Sequence, residues 1–404
     1  MSLLREPKSN SGWLNSRWFS VQNNVDSLNH IHVALKVFGI VAYTIVDRVN
    51  CEIIVSVSDL VLMAIFTVFR IYGIVIGIQN ELWKTLVDGE PTAIAFGFAS
   101  LMILVIIVNT ITPIYVMIQR RRVQDILEDF KEYDDELGRL GYPRNHQYFH
   151  LRVAIFLTIC LIALMAISAI TLLLRDIEYE TDEFIFLSFF GAACFGITLF
   201  HTSLNVLILG VHGRLQLLNR CLEELLLQEG ELLSKQLLVR TQRRDELLIH
   251  AAKLYDKLCD VSEAISVVFC GPLILQSINM FFVNLLSSYA SMRVFLHQAT
   301  PQQTINAGLY LSWSLYMVFF ICQSILYLAA LRQQKSTLLS IVHRSLNLPH
   351  NEFLIDRFHQ LSEQITSREP HITFYFFELH PLIIVQVCGE LATYLLILVQ
   401  FDMQ

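Results

Sequence analysis

Residues 379–401 read LHPLIIVQVCGELATYLLILVQF, a run of membrane-crossing length, since about twenty apolar residues cross the hydrocarbon as a helix. Its polar residues share one side. On a wheel with Gln400 at zero and about 100° per residue, Thr393 falls at roughly 20°, Gln386 at roughly 40°, Glu390 at roughly 80° and Phe401 at roughly 100°. Leu391, Leu395, Leu398 and Cys388 fall between roughly 160° and 240°. Polar and ionisable groups are costly in hydrocarbon, so such a stripe implies a protein interface or water on that face. One helix encloses no water, whereas several copies around an axis do, and the stretch therefore implies a shared pore. The alternative is packing of the stripe against neighbouring helices of the same chain.

The rest of the chain places this helix in a polytopic membrane protein. Of 404 residues, 54 % are apolar and 16 % charged, against about 25 % charged in soluble domains. The first thirty residues carry no apolar core beside a cleavage site, so no signal peptide is expected. The eight cysteines fall in apolar spans or in basic loops, which argues against a disulfide framework. Membrane-length runs lie at 57–78, 92–118, 151–174, 184–211, 261–289, 307–331 and 379–401. The apolar segment 33–46 is too short to cross and reads as a membrane-surface or re-entrant helix.

Charge then sets direction. Six Lys and Arg lie in 119–150, eight in 212–260 and five in 332–371, against one each (Lys84, Arg175, Arg293) in the other three loops. Basic loops stay cytoplasmic, so nineteen against three puts the N-terminus inside and the C-terminus outside. That is opposite to a G-protein-coupled receptor, and Asp-Arg-Tyr and Asn-Pro-X-X-Tyr are missing from the spans where that class carries them. The basic loops are also patterned. Leucines recur at helical spacing through Leu215, Leu218, Leu222 and Leu225, break at Gly230, and resume through Leu247, Leu248, Leu254 and Leu258. Residues 333–367 are similar, with a break at Pro349. The fourth and fifth spans are thus expected to run on into a cytosolic helical base. The expected fold is an all-α membrane protein of seven transmembrane helices. Residues 1–56 form its cytosolic N-terminus, 57–331 spans one to six, 332–371 the anchor helices, and 372–404 the last span with a short outer tail.

No phosphate-binding glycine loop, Cys-X-X-Cys or His-Glu-X-X-His is present, so no enzyme, cofactor or metal centre is expected. His146 and His150 stand at i, i+4, but nothing nearby completes a ligand set, and they read as an interfacial pair. The halves show no transporter-type repeat, which weakens a carrier. Arg70, deep in the first span, reads as snorkelling or paired rather than as a voltage sensor. Asn109, His201, Asn205, Gln276, Asn279, Asn284 and Gln323 read mostly as interhelical hydrogen bonders. Aromatics crowd the outer span ends: Phe186, Phe189 and Phe190, then Tyr289, then Tyr310, Trp313 and Tyr316. They form either an interfacial belt or the wall of an outward-facing cavity for a small organic ligand. The candidate pocket set is Phe186, Phe190, Asn284, Tyr289, Tyr310, Trp313 and Tyr316.

The ending Thr393-Tyr394, five hydrophobics, Gln400-Phe401 resembles the signature of the insect gustatory receptor family, intact and in the last span. The resemblance extends to length, span number and orientation. It implies a homo- or heterotetrameric ligand-gated cation channel in the plasma membrane of gustatory neurons. It also implies a last span at the central pore, a shared cytosolic anchor and a small-molecule ligand in the outer half of each subunit, with no nucleic-acid partner. Carried onto this sequence, Gln400 and Phe401 fall at the constriction, Thr393 and Tyr394 in supporting turns, and Ile397, Glu390 and Gln386 along the pore face. No sign of the sugar or carbon dioxide subfamilies is present, so the resemblance points to a bitter, pheromone or orphan receptor. The alternatives are a co-receptor-dependent subunit with no channel activity alone, or a secondary transporter.

Overall fold

The computed structural model describes residues 21, 24–47, 51–79, 92–174, 181–228, 237–296, 300–347, 352–374, 377–378 and 381–402. Its ten described helices are α1 Asn24–Val37, α2 Val57–Gln79, α3 Thr92–Ile118, α4 Arg120–Arg139, α5 His146–Leu174, α6 Thr181–Leu222, α7 Leu237–Leu296, α8 Pro301–Leu346, α9 Glu352–Ser367 and α10 Pro381–Asp402. Two small antiparallel hairpins, β1 (Thr44–Asp47) with β2 (Glu52–Ile54) and β3 (Thr373–Phe374) with β4 (Phe377–Glu378), complete it. Each of the seven expected spans is a helix. Four described helices are long and apolar enough to cross a membrane outright, and α3 with α4 makes a fifth if that bent pair is one span.

Burial ranks the helices. The most apolar stretch of α6 is 89 % buried and that of α5 22 %, so α6 is the central helix and α5 faces lipid. Ile155, Ile159, Ile162 and Met165 on α5 are exposed, as are Val61, Ile65, Val68 and Tyr72 on α2. In water this surface would be a large apolar patch; in a bilayer it costs nothing.

At the basic end α6 and α7 continue past the membrane, as the leucine spacing predicts. At ~1.5 Å per residue, the 60 residues of α7 far exceed a bilayer. Leu215, Leu218 and Leu222 of α6 pack with Leu247, Leu254 and Leu258 of α7, Leu338 and Val342 of α8, and Leu354, Phe358 and Leu361 of α9. Gly230 and Pro349 lie outside the described residues. Ion pairs lace the rim. Arg357 meets Asp245 at 3.0 Å, Lys335 meets Glu369 at 3.0 Å, and Arg368 bonds both Asp260 and Asp256. Those hydrogen bonds raise the Arg368 pKa above its ordinary value, Asp260 contributing most.

Two segments differ from the sequence expectation. Within 119–150, taken as a basic loop, lies α4. The chain bends by 59° between α3 and α4, and the apolar stripe Ile126, Leu127, Phe130, Tyr133 and Leu137 is buried. Segment 33–46 is not one helix. α1 ends at Val37, Gly39 adopts φ +62°, and the chain returns through β1. A Cβ at Gly39 would stand 2.7 Å from Phe66 Cβ, so only glycine fits in both backbone and space. Gly39→Ala is expected to destabilise by about 1–2 kcal/mol. Gly138→Ala, in open space within α4, is expected to be neutral or stabilising. Thermal unfolding of the purified variants compares them, and equal melting would refute the tight fit.

Candidate functional site

α10 packs on the rest of the chain chiefly through its last turns, and Val385, Val387, Cys388 and Leu396 are exposed alongside its polar residues. Leu395, Leu398 and Val399 pack against Leu101, Leu286, Tyr289 and Met292, and Val399 is 7 % exposed. Tyr394 sets its ring edge-on to Phe281 of α7, centroids 6.0 Å apart. On the opposite arc Gln386, Glu390, Thr393, Ile397 and Gln400 are all exposed. Thr393 returns its hydroxyl proton to Gly389 O at 3.0 Å, which quiets one polar group without a neighbour. Glu390 has no cationic partner among the described residues. The Phe401 side chain lies outside them. Leu395, Leu398 and Val399 are thus satisfied within the chain, and the polar residues are presented outward together with much of the helix's apolar surface.

The outer aromatic set divides in two. Tyr316 of α8 sits in a cluster with Cys160, Leu164, Cys194, Ile197 and Phe320. Its hydroxyl donates to Cys160 O at 3.3 Å and lies 3.2 Å from Thr198 Oγ1. Trp313 stands edge-on to Tyr316 and donates Nε1 to Thr171 Oγ1 at 3.3 Å. Tyr289 and Tyr310 belong instead to the cluster that receives Leu395, Leu398 and Val399 of α10. Between the groups, Asn284 of α7 accepts from the Ser314 hydroxyl of α8. Of the pocket candidates, Tyr289 and Tyr310 thus pack with α10, whereas Trp313 and Tyr316 belong to the other cluster. The Phe186, Phe189 and Phe190 side chains lie outside the described residues. Thr171, Thr198 and Ser314, which hold the aromatic and amide tips, carry no sequence signal that sets them apart from the other hydroxyls of the same spans, such as Ser168, Thr202 and Ser312.

The buried polar residues are less uniformly interhelical than expected. Asn205 accepts from Ser324 at 2.6 Å across α6 and α8, but Asn109 bonds Val105 O of its own helix at 2.9 Å and Gln323 bonds Tyr327 one turn away. His201 is buried with its ring stacked on Phe320. Gln276 and Asn279 are buried, each with an oxygen lacking a donor among the described residues. Arg70 is buried and donates to the carbonyl of Phe38, just past the end of α1. It thus anchors the N-terminal turn, in a small cavity shared with Asn109, Thr112 and Gln276. His150 lies 3.1 Å from Ser27 O and 4.5 Å, ring to ring, from His30, whereas His146 approaches Asp134 at 4.0 Å. The two histidines face different partners.

Comparison with known proteins adds to this geometry. The sequence model of a family described as 7tm chemosensory receptor matches residues 28–404. Among solved structures the chain is similar to the insect olfactory receptor OR5 from Machilis hrabei, with TM-score 0.61 and 13 % identity over 93 % of this chain and 97 % of that one. It is similar also to the same receptor in complex with eugenol, with TM-score 0.60 and 14 % identity over the same shares. At this identity the likeness is one of fold. No curated protein matches the chain.

Proposed function

Because the chain belongs to the 7tm chemosensory receptor family, we propose that it is a gustatory subunit of a ligand-gated, non-selective cation channel. Four subunits surround an axis with the polar arc of α10 inward. The observation that carries this reading is that Gln386, Glu390, Thr393 and Gln400 share one exposed side of a helix that packs on the rest of the chain through Leu395, Leu398 and Val399. In hydrocarbon that arrangement is costly; around a shared aqueous axis it is satisfied. Glu390 then attracts cations, and Gln400 with Phe401 forms the constriction at the outer end.

The nineteen-to-three charge asymmetry supports a cytosolic N-terminus and helical base, with the C-terminus outside. The ligand is a small organic tastant of bitter, pheromone or orphan type, received among the outer ends of the spans. The eugenol complex of a receptor with the same fold supports a ligand of that size. Tyr289 and Tyr310, packed on α10, are the short path from ligand to gate. The setting is the plasma membrane of a gustatory neuron.

Two measurements test the proposal. Native mass spectrometry of the full chain in lipid should give a tetramer, alone or with other receptor subunits; a strict monomer sinks the pore. Whole-cell recording during a ligand screen should give cation current from the chain alone or with co-receptors. Ion-coupled uptake without single-channel events would instead identify a transporter.

A further inference from the structure

A cavity of about 100 Å³ lies at the bend between α3 and α4. Ile31 and Leu35 of α1, Val116 of α3, Leu127 of α4, Phe200 of α6 and Phe269 of α7 line it, and all six are buried. The turn at Gly39 brings Tyr43 into the same wall. No residue of α8 or α10 lines the cavity, which separates it from the proposed gate and from the outer aromatic set.

The wall is apolar except at His32, Tyr43 and Ser203, and no Asp, Glu, Lys or Arg lines it. Ser203 donates its hydroxyl proton to Leu199 O at 2.7 Å, so what it retains is an acceptor. His32 stacks at a tilt on Tyr43, centroids 5.4 Å apart, and its Nε2 is buried without a partner among the described residues. Burial, followed by the nearby Lys36, lowers the His32 pKa to about 4. The imidazole is therefore neutral at neutral pH, and Nε2 accepts or donates according to its tautomer. Leaving such an atom unmet is costly. A hydroxyl both donates and accepts, so it satisfies Nε2 in either tautomer. Water also carries one, but cavities with walls this apolar stay dry. Volume sets the rest of the guest. An apolar cavity of about 150 Å³ holds the six carbons of benzene, so one of about 100 Å³ holds about four non-hydrogen atoms. A charged guest would meet no counter-charge here.

We propose that this cavity is a binding site for a short-chain alcohol, with the hydroxyl on His32 Nε2 and the chain against Val116, Phe200 and Phe269. The site is separate from the outer cavity of the proposed function and requires neither the pore nor the membrane orientation. An occupant touches α3 through Val116 and α4 through Leu127, the two limbs of the 59° bend. Its presence therefore bears on the angle between a span and the helix that follows it.

Saturation-transfer NMR of the full chain in nanodiscs of deuterated lipid, titrated with 1-propanol and with 1-chloropropane, tests the site. It reads binding without channel current, so failure here and failure of the channel reading are separable. Propanol is expected to saturate below about 100 mM, as befits a ligand of about four atoms. Val116→Phe fills the cavity and is expected to weaken both ligands by at least about tenfold. Ile159→Phe adds bulk on the lipid-facing side of α5, at a position 59 % exposed, and should leave both unchanged. His32→Phe keeps a ring but removes Nε2. The ratio of propanol to chloropropane affinity should then fall at least about threefold, a comparison in which the transfer of each ligand from water cancels. Should Val116→Phe fail to assemble, the wild-type chain supplies the size test, since 1-hexanol exceeds the cavity and should not displace bound propanol. The proposal is overturned by propanol that does not saturate, by displacement with hexanol, by equal effects of Val116→Phe and Ile159→Phe, or by an unchanged ratio in His32→Phe.

Discussion

Glu390→Lys is expected to reduce ligand-evoked inward cation current by more than roughly tenfold, because it replaces an attracting charge with a repelling one in every subunit around the axis. Glu390→Gln, which keeps size and removes charge, should give a milder loss with a changed permeability ratio between divalent and monovalent cations. The geometry makes the test clean. Glu390 is exposed and contributes nothing to the packed arc of Leu395, Leu398 and Val399, so folding should survive. Whole-cell current normalised to surface-labelled protein is the measurement. Wild-type current from the Lys variant would place the permeation path elsewhere.

Asp134→Ala should instead strike folding. Arg214 is fully buried, and its guanidinium meets Asp134 at 2.6 Å, donates to Gly210 O at 3.1 Å and lies 3.7 Å over the Phe130 ring. Tyr133 donates its hydroxyl to Arg214 O at 3.0 Å in the same core. Removing the carboxylate strands a buried cation, which costs about 3–5 kcal/mol. The double variant Asp134→Leu with Arg214→Met removes both charges and should recover most of that. Monodisperse protein remaining after heating distinguishes the two. If Asp134→Ala melted like wild type, the pair would not hold α4 to α6.

Much of the fold is legible because its causes are local. Hydropathy marks the spans, and the leucine spacing beyond Val211 announces that α6 outruns the membrane. The wheel of 379–401 groups Leu395 and Leu398, which pack on α7, apart from Gln386, Glu390, Thr393 and Gln400, although Cys388 on the same apolar arc is exposed. Where the reading stops short, the reason is equally physical. α4 passes for a loop because its charges dominate its composition, although Ile126, Phe130, Tyr133 and Leu137 already recur at helical spacing. Segment 33–46 passes for a single helix because nothing in its hydropathy reveals that Gly39 must turn the chain beneath Phe66.

For the site, the sequence determined which residues of the last helix share a face, since residues one turn apart are fixed neighbours in any α-helix. It also carried the motif and the charge asymmetry that point to family and direction. Which side chains complete each buried group was decided only by tertiary structure. Asp134 and Arg214 are 80 positions apart, and Tyr316 and Thr198 are 118 apart. Arg144, just before α5, and Arg152 within it share a cavity wall with Arg220 of α6 only where α5 lies against α6. No local period encodes such pairings; they exist because the bundle buries its helices in one arrangement, and burial makes an unpartnered polar group costly.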